Sequence, residues 1–487
     1  MVRAMNILFI SSEVAPYSKT GGLGDVLGSL PAALAARGHD VMVVSPLYGS
    51  AKVPALENLG AQVRLKFPFG EPVAELKGLR LSERHEVVFL DCPAFYARPG
   101  LYGDAGGDYA DNHRRFAFLS VGGLSAAQVL GFDADIVHLN DWQTGLAPVA
   151  LRRGFEGTPL ASAKSVFTIH NLAYQGMFHK GVMDDLGLPW DLFRPDGLEF
   201  YDAVNFLKSG LAFADALTTV SPRYAQEIQT PEGGANLDGL LRARRGSLHG
   251  ILNGIDYDEW NPRTDKYLPA HYDADELAGK WQCKRALLER LGLPHDDAAM
   301  KRPVFGMVSR LAEQKGVDLL LAAMEQFLPG GDAVFVGLGS GDPSLETALW
   351  ELAKRFPRNA GVWVGFDAAL SHQVEAGADF FVMPSRYEPC GLNQMYSLRY
   401  GTLPIVRATG GLDDTVEDLS SPNATGLKFQ DFDLGQLLRA LWRARDAYHN
   451  AAAWLDTVRQ RGMRQDFSWG ASAARYEALY RSLTGKS

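Results

Sequence analysis

Short apolar runs separated by longer amphipathic stretches organise most of the chain. In the first half the runs are NILFISS, VMVVSP, EVVFLD, DIVHLN, SVFTIH, ALTTVS and LHGILN. They are rich in Val, Ile, Leu and Phe and lack strict alternation. That pattern predicts strands buried on both faces of a parallel sheet. Between them, RRFAFLSVGGLSAAQVL and TGLAPVALRRG carry the spacing of amphipathic helices. The first half therefore reads as α/β.

From 253 to 302 the pattern changes. Turn residues lead into a polar, aromatic and proline-bearing stretch that ends in one helix, a composition shift that marks a domain boundary. A second parallel series follows: PVFGMVS, DAVFVGLG, AGVWVGF, DFFVMPS and LPIVRAT. The expected layout is an N-terminal Rossmann-like domain over 1–253, then a linker and C-terminal Rossmann-like domain over 254–466. A last helical stretch, 467–487, has no strand after it and could cap either domain or cross back to the first. Two doubly wound domains in tandem predict the carboxyl ends of two sheets facing an interdomain cleft, since open α/β sheets bind ligands at those ends.

Composition narrows the ligand. A chain of 487 residues is too long for one ordinary core, and 46% hydrophobic with 22% charged residues is the make-up of a folded protein. The net charge of −9 argues against a nucleic-acid surface, so an anionic ligand would need local cations. Three cysteines, Cys92, Cys283 and Cys390, suggest neither a disulfide framework nor a zinc site. No signal peptide is read in MVRAMNILFI, and no apolar run approaches the ~20 residues of a membrane span. The expectation is a cytoplasmic protein with no membrane and no nucleic-acid partner.

Four segments put polar groups at predicted strand ends. In SKTGGLGDVLGSLP, Gly22, Gly24 and Gly28 miss the dinucleotide spacing G-x-G-x-x-G, and the lysine, Lys19, precedes the glycines where a P-loop would end in Gly-Lys. Gly21 and Gly22 could present N–H groups to an anion, or simply allow tight packing. In SVFTIHNLAYQG, His170 and Asn171 end a strand; in DIVHLNDWQTG, Asp141 ends another, where a helix N-cap is the competing role. In GMVSRLAEQKG, Arg310 and Lys315 stand in a loop before a helix, where a diphosphate clamp is favoured over a solvated charged loop in a chain this acidic. The densest segment, MPSRYEPCGLNQMYSLRYGTLPIVRATGGLDDTV, combines Glu388, Cys390, Gly391 and the pair Gly410–Gly411. A carboxylate beside phosphate-type glycines suggests a sugar nucleotide. Cys390 reads as a small packed residue, since no nearby pattern activates it as a nucleophile.

SSEVAPYSKTGGLGDV, FTIHNLAYQG, ILNGID, SRLAEQKG, SRYEPCGLNQMYSLRYGT and TGGLDDTV, in that order, resemble the bacterial glycogen synthase and plant starch synthase family over nearly the whole chain. The resemblance implies a GT-B glycosyltransferase fold and a retaining hexosyltransferase. Its substrates would be ADP-glucose and an α-1,4-glucan, glycogen or maltooligosaccharide, extended at the non-reducing end. It implies that Lys19, Gly21 and Gly22 bind donor phosphate, and that Arg310 and Lys315 neutralise the ADP leaving group. His170 would contact the glucose through its ring and its carbonyl. Glu388 would hold glucose hydroxyls, with the Cys390, Gly391 and Leu392 amides facing the same sugar. Asn253, Phe366, Thr409, Gly410 and Gly411 complete the donor side. Asp141 and Asn171 are donor-sugar or acceptor-side candidates, and Glu13 and Asp25 belong to the motif without an assigned role.

Two positions depart from the family pattern. Many related retaining transferases carry a second glutamate eight positions after the first, where this chain has Tyr396; bacterial glycogen synthases commonly share that departure. Phe366 stands where similar proteins often have tyrosine, so adenine stacking could persist without a phenol. The expected mechanism is front-face substitution without a covalent intermediate, a metal or another cofactor, with hinge closure about 253–302 on donor binding. Other readings are a GT-B enzyme using UDP-glucose, a pyridoxal-dependent glucan phosphorylase, a silent glucan-binding protein and, weakest, a dehydrogenase.

Overall fold

The structure, a computed structural model, describes residues 3–486. It consists of two compact units: the chain up to Gly254 together with the segment from Trp469 on, and Ile255–Ser468.

The first unit is built on a nine-stranded sheet. Its strands are β1 (Asn6–Ile10), β2 (Asp40–Pro46), β3 (Glu57–Arg64), β4 (Val73–Ser82), β5 (His85–Asp91), β6 (Ile136–Asn140), β7 (Lys164–Ile169), β8 (Ala216–Thr219) and β9 (Leu248–Gly250), in the spatial order β9-β8-β7-β6-β1-β2-β5-β4-β3. Every pair from β9 to β5 is parallel, and these strands are the continuous apolar runs of the sequence. β3 and β4 extend the edge antiparallel. They escaped the sequence pattern because β4 alternates buried with exposed positions, as a strand with one wet face does. Helix α1 (Gly22–Ala36) follows β1, and α2 (Asn112–Val129) contacts β1, β2 and β5.

The second unit holds six parallel strands: β10 (Val304–Leu311), β11 (Val334–Gly341), β12 (Ala360–Val364), β13 (Phe380–Met383), β14 (Leu403–Arg407) and β15 (Leu427–Phe429). Their order, β12-β11-β10-β13-β14-β15, is the 3-2-1-4-5-6 arrangement of a Rossmann sheet. β15 is three residues long, too short to stand out as an apolar run. Helices α3 (Ala278–Arg290), α4 (Val317–Phe327), α5 (Asn393–Arg399) and α6 (Gly410–Thr415) belong to this unit. Its core packs Phe305 and Phe380 of the sheet against Leu320, Met324 and Phe327 of α4.

The linker residues 255–277 are part of the second unit. Trp260 lies between two rings, stacked on His372 at 3.9 Å and on Tyr396 of α5 at 3.8 Å, each within 9° of parallel. Asp265 Oδ2 accepts from Tyr400 Oη at 2.5 Å and lies 2.7 Å from His372 Nδ1.

The last helix, α7 (Trp469–Thr484), lies against α1 in the first unit. Trp469, Ala473, Tyr476 and Tyr480 join the core formed by Ile7, Phe9, Leu27 and Leu34. The Tyr480 hydroxyl sits 2.6 Å from Nδ1 of the buried His138 on β6.

Candidate active site

In each sheet the connections leave the first strand in one direction and later return to its other side. The reversal falls between β1 and β6 in the first unit and between β10 and β13 in the second. The loops leaving those strand ends diverge, so each sheet has a ready-made crevice at that point. Glu13, Lys19 and Asp141 in the first unit, and Arg310, Lys315 and Glu388 in the second, lie on or just after the strands that flank that point.

After β1, Glu13 organises the loop. Its side chain is buried, and Oε1 accepts from the Thr20 hydroxyl and from Tyr102, each at 2.6 Å. Oε2 accepts from the Thr20 N–H at 2.8 Å and from the Gly21 N–H at 3.4 Å. Glu13 is therefore the internal support of the Lys19–Gly22 turn. Lys19 is exposed, and its Nζ lies 2.6 Å from Asp25 Oδ1.

The unusual glycine spacing has a packing reason. Gly24 and Gly28 share one face of α1, and the loop folds back onto that face. A Cβ on Gly28 would lie 2.9 Å from the Ala15 carbonyl oxygen, and one on Gly24 would lie 3.0 Å from the Lys19 side chain. Gly21 and Gly22 face open space within 4 Å. The four glycines thus divide between holding the loop down and leaving its tip clear. Of the amides expected at an anion, that of Gly21 is directed at Glu13.

At the end of β6, Asp141 does not cap the following helical turn with its side chain. Its Oδ1 accepts the His170 backbone N–H at 2.7 Å, linking the ends of β6 and β7. Burial pushes its carboxyl up to about 7, the His170 and Asn171 N–H groups pull it down, and Glu13 adds to the upward push. His170 is driven down to about 3 by burial, so its ring is neutral near pH 7. Its Nε2 lies 3.0 Å from Asn140 Oδ1. Asn140 did not stand out in the sequence, since a buried asparagine beside an aspartate has no spacing signature. Asn171 forms a local turn, its Oδ1 accepting from the Ala173 N–H at 3.0 Å. Asn253, 7% exposed, lies in this unit just after β9, and its Oδ1 accepts no hydrogen bond among the described residues.

In the second unit the central contact is Lys315 with Glu388, Nζ to Oε2 at 2.6 Å. Lys315 ends a short turn after β10, and Glu388 lies in the loop after β13, so the two stand at the reversal point. Glu388 is buried, and the Ser385 hydroxyl donates to the same oxygen at 3.1 Å. Arg310 lies on β10 itself, not in the loop expected from sequence. It is exposed, and its guanidinium has no hydrogen bond or ion pair among the described residues.

The pair Gly410–Gly411 permits another close approach. Cβ atoms there would lie 1.9 Å from the Glu388 carbonyl oxygen and 2.1 Å from that of Cys390. The Gly411 N–H is shared between the Glu388 and Pro389 carbonyls at 3.2 Å each, so it is turned toward protein instead of being presented to an anion. Thr409, buried, is the N-cap residue of α6, and its side chain does not cap the first amides of that helix. Gly391 has φ 72° and lies before α5, which begins at Asn393; Leu392 is its N-cap residue. Cys390 is buried, in keeping with a packed residue. Phe366, after β12, is 90% exposed. Tyr396, at the position of the absent second glutamate, is committed to the Trp260 stack.

Among the described residues no cluster of three or more His, Cys, Asp or Glu could hold a metal ion, and no helix is long and apolar enough to cross a membrane.

Comparison with known proteins places the chain in a family. Residues 6–243 match the family model of the starch synthase catalytic domain, and residues 295–444 match that of glycosyl transferases group 1. The chain is 62% identical to a glycogen synthase from Myxococcus xanthus, over 99% of this chain and 100% of the relative. It is 47% identical to one from Koribacter versatilis, over 98% of each. Among solved structures, the catalytic domain of starch synthase IV from Arabidopsis thaliana, bound to ADP and acarbose, superposes with a TM-score of 0.90 at 35% identity, covering 99% of this chain and 100% of that one. A sucrose-phosphate synthase from Thermosynechococcus elongatus, at TM-score 0.62 and 21% identity over 99% of each chain, shares the fold.

Proposed function

From its membership of the bacterial glycogen synthase and plant starch synthase family, with the GT-B fold, we propose that this chain transfers glucose from ADP-glucose to an α-1,4-glucan with retention of configuration. The observation that carries the mechanistic reading is the Lys315–Glu388 pair at the reversal point of a Rossmann sheet. A cation suited to a diphosphate stands beside a buried carboxylate suited to sugar hydroxyls and to developing positive charge.

The chemistry divides between the units. In the second, Arg310 and Lys315 stabilise the negative charge that grows on the diphosphate as the C1–O bond breaks. Glu388, steadied by Ser385, holds the glucose and offsets the charge of the oxocarbenium-like centre, with Cys390, Gly391 and Leu392 lining the same loop. Phe366 offers an open aromatic face to the base. In the first unit, Lys19 meets donor phosphate, exchanging Asp25 for the ligand, and His170 meets the sugar. The acceptor 4-hydroxyl attacks C1 on the face the phosphate leaves. Its proton passes to the departing phosphate oxygen, so no covalent glucosyl-enzyme forms.

The cationic side chains meet the charge demand of the diphosphate, and activity is expected to survive EDTA. Three buried cysteines far apart in sequence fit a reducing, cytoplasmic setting.

The test is steady-state transfer to glycogen from ADP-glucose and from UDP-glucose. ADP-glucose is expected to be the better donor. Glu388→Ala and Lys315→Ala are each expected to lower kcat at least ~100-fold, as loss of a charge-stabilising group does. Near-normal turnover in both would show that the site is elsewhere, and a preference for UDP-glucose would overturn the donor assignment.

A further inference from the structure

His170 is held at two points by consecutive residues at the end of β6. Asp141 Oδ1 takes its backbone N–H at 2.7 Å, and Asn140 Oδ1 lies 3.0 Å from ring Nε2. The direction of the second bond follows from what surrounds Asn140. That side chain is fully buried, and its Nδ2 donates to the Ile10 carbonyl at 3.3 Å. Turning the amide over would set its oxygen against the Ile10 oxygen, two acceptors facing one another without a proton. The main chain is fixed as well. The Asn140 N–H donates to Thr144 Oγ1 at 2.8 Å, and the Thr144 hydroxyl is within 3.0 Å of the Asn140 carbonyl oxygen. Asn140 therefore presents an acceptor to the ring, and the hydrogen between them belongs to Nε2.

We propose that Asn140 is a positioning residue that keeps the His170 proton on Nε2, so that Nδ1 keeps its lone pair and accepts a hydrogen bond from a hydroxyl of the transferred glucose. The inference rests on the reading that His170 meets the donor sugar, and it states which ring nitrogen does so and in which role. Nδ1 accepts no hydrogen bond among the described residues, and His170 is only half-buried, so that nitrogen is left for a ligand. A neutral imidazole has one donor and one acceptor. With the donor taken by Asn140, the ring discriminates for a hydroxyl able to give its hydrogen. Asp141 fixes the backbone of the same residue, so the carbonyl and the ring of His170 are placed by neighbouring side chains. A ring left without Asn140 would lose both its orientation and its single tautomer.

Nitrogen-15 NMR of the full chain labelled at histidine reads the tautomer directly, with the His170 signal identified by its loss in His170→Gln. In the wild-type protein the proton is expected on Nε2; a ring protonated on Nδ1 would overturn the proposal with no variant needed. In Asn140→Ala the ring is expected to populate both tautomers. Its kcat is expected to fall about tenfold, the size of one neutral hydrogen bond made in the transition state, while KM for the glucan stays within about twofold. An unchanged tautomer in that variant, or a changed tautomer with unchanged kcat, would each refute the assignment. Failure of the wild-type chain to use ADP-glucose would instead sink the sugar contact together with the function it rests on, and the NMR signature would still decide the Asn140 contact by itself.

Discussion

At Asp141 the backbone takes φ 54°, a conformation that costs a non-glycine residue on the order of 1 kcal/mol. What the strain secures is direction: the carboxylate turns away from the following helical turn and onto the His170 N–H. An aspartate in front of a helix is ambiguous in a sequence, because an N-cap and a strand-end bridge need the same residue in the same place. Only the backbone torsion separates them. Burial raises this carboxyl from 3.8 to about 7, whereas His170 stays neutral because burial drives it down to about 3. Of these two, the group titrating near neutrality is therefore Asp141. As pH falls through about 7 it protonates, its hold on the His170 N–H weakens, and kcat/KM is expected to fall. Asp141→Asn should lack that acid limb; a limb that persists in the variant would assign it elsewhere. The stability sign is opposite. A group whose folded pKa is raised stabilises fully below its unfolded value and loses that contribution as pH rises through the folded one. Denaturant unfolding above pH 7 should thus find Asp141→Asn more stable than wild type.

Elements show where an apolar pattern carries information and where it does not. The parallel strands other than the three-residue β15 were legible because burial on both faces demands continuous apolar runs; the β3–β4 hairpin was not, because one of its faces is wet. The glycines of the first loop show a similar divide. Their four-residue spacing places Gly24 and Gly28 on one helix face, but that the face receives Ala15 and Lys19 is a tertiary fact. The linker is a third case. Its polar and aromatic composition looked like a connector, yet Trp260 is stacked between α5 and His372, and Asp265 joins His372 to Tyr400. α5 follows the Glu388 loop, so its support matters to the site. Beneath it lies Glu375, fully buried, with Oε2 accepting from Ser397 of α5 at 2.6 Å and Oε1 unpartnered among the described residues. Burial raises this carboxyl from 4.5 to about 8, opposed by Ser397 and by Lys280. Glu375 therefore enters the fold protonated at neutral pH, and its contribution is lost progressively between pH 4.5 and about 8. Glu375→Gln keeps an acceptor for Ser397 without the titration. Urea midpoints should match wild type near pH 4.5 and exceed it by a growing margin toward pH 8; a constant difference would show that Glu375 does not titrate in this range.

For the molecule as a whole, the chain order of the units differs from their spatial membership. The first unit is completed by α7, some two hundred residues after β9, through Trp469, Tyr476 and Tyr480 in its core and the Tyr480–His138 contact. A chain ending at 468 should accordingly lose cooperative unfolding of the first unit and expose apolar surface to a hydrophobic dye. Tyr480→Phe, which leaves the buried His138 Nδ1 without its partner, should cost about 1–3 kcal/mol in denaturant unfolding. Wild-type unfolding in both would show that α7 adds nothing to that core.

By itself the sequence determined the two parallel α/β series and the residues at their strand ends. It also determined, through six long motifs, the family. These are local properties: buried strands need runs of branched and aromatic side chains, and a ligand at a strand end needs its polar groups just past the run. Tertiary structure decided which side chains meet. It paired Lys315 with Glu388 across 73 positions and turned Asp141 toward His170. It chose Asn140 to hold the imidazole, and put Glu13 under a loop whose glycines looked like phosphate ligands. The reason is geometric. Neighbouring strands of a parallel sheet are joined by long crossovers, so groups a hydrogen bond apart in space lie tens of residues apart in the chain, and no spacing rule within the sequence connects them.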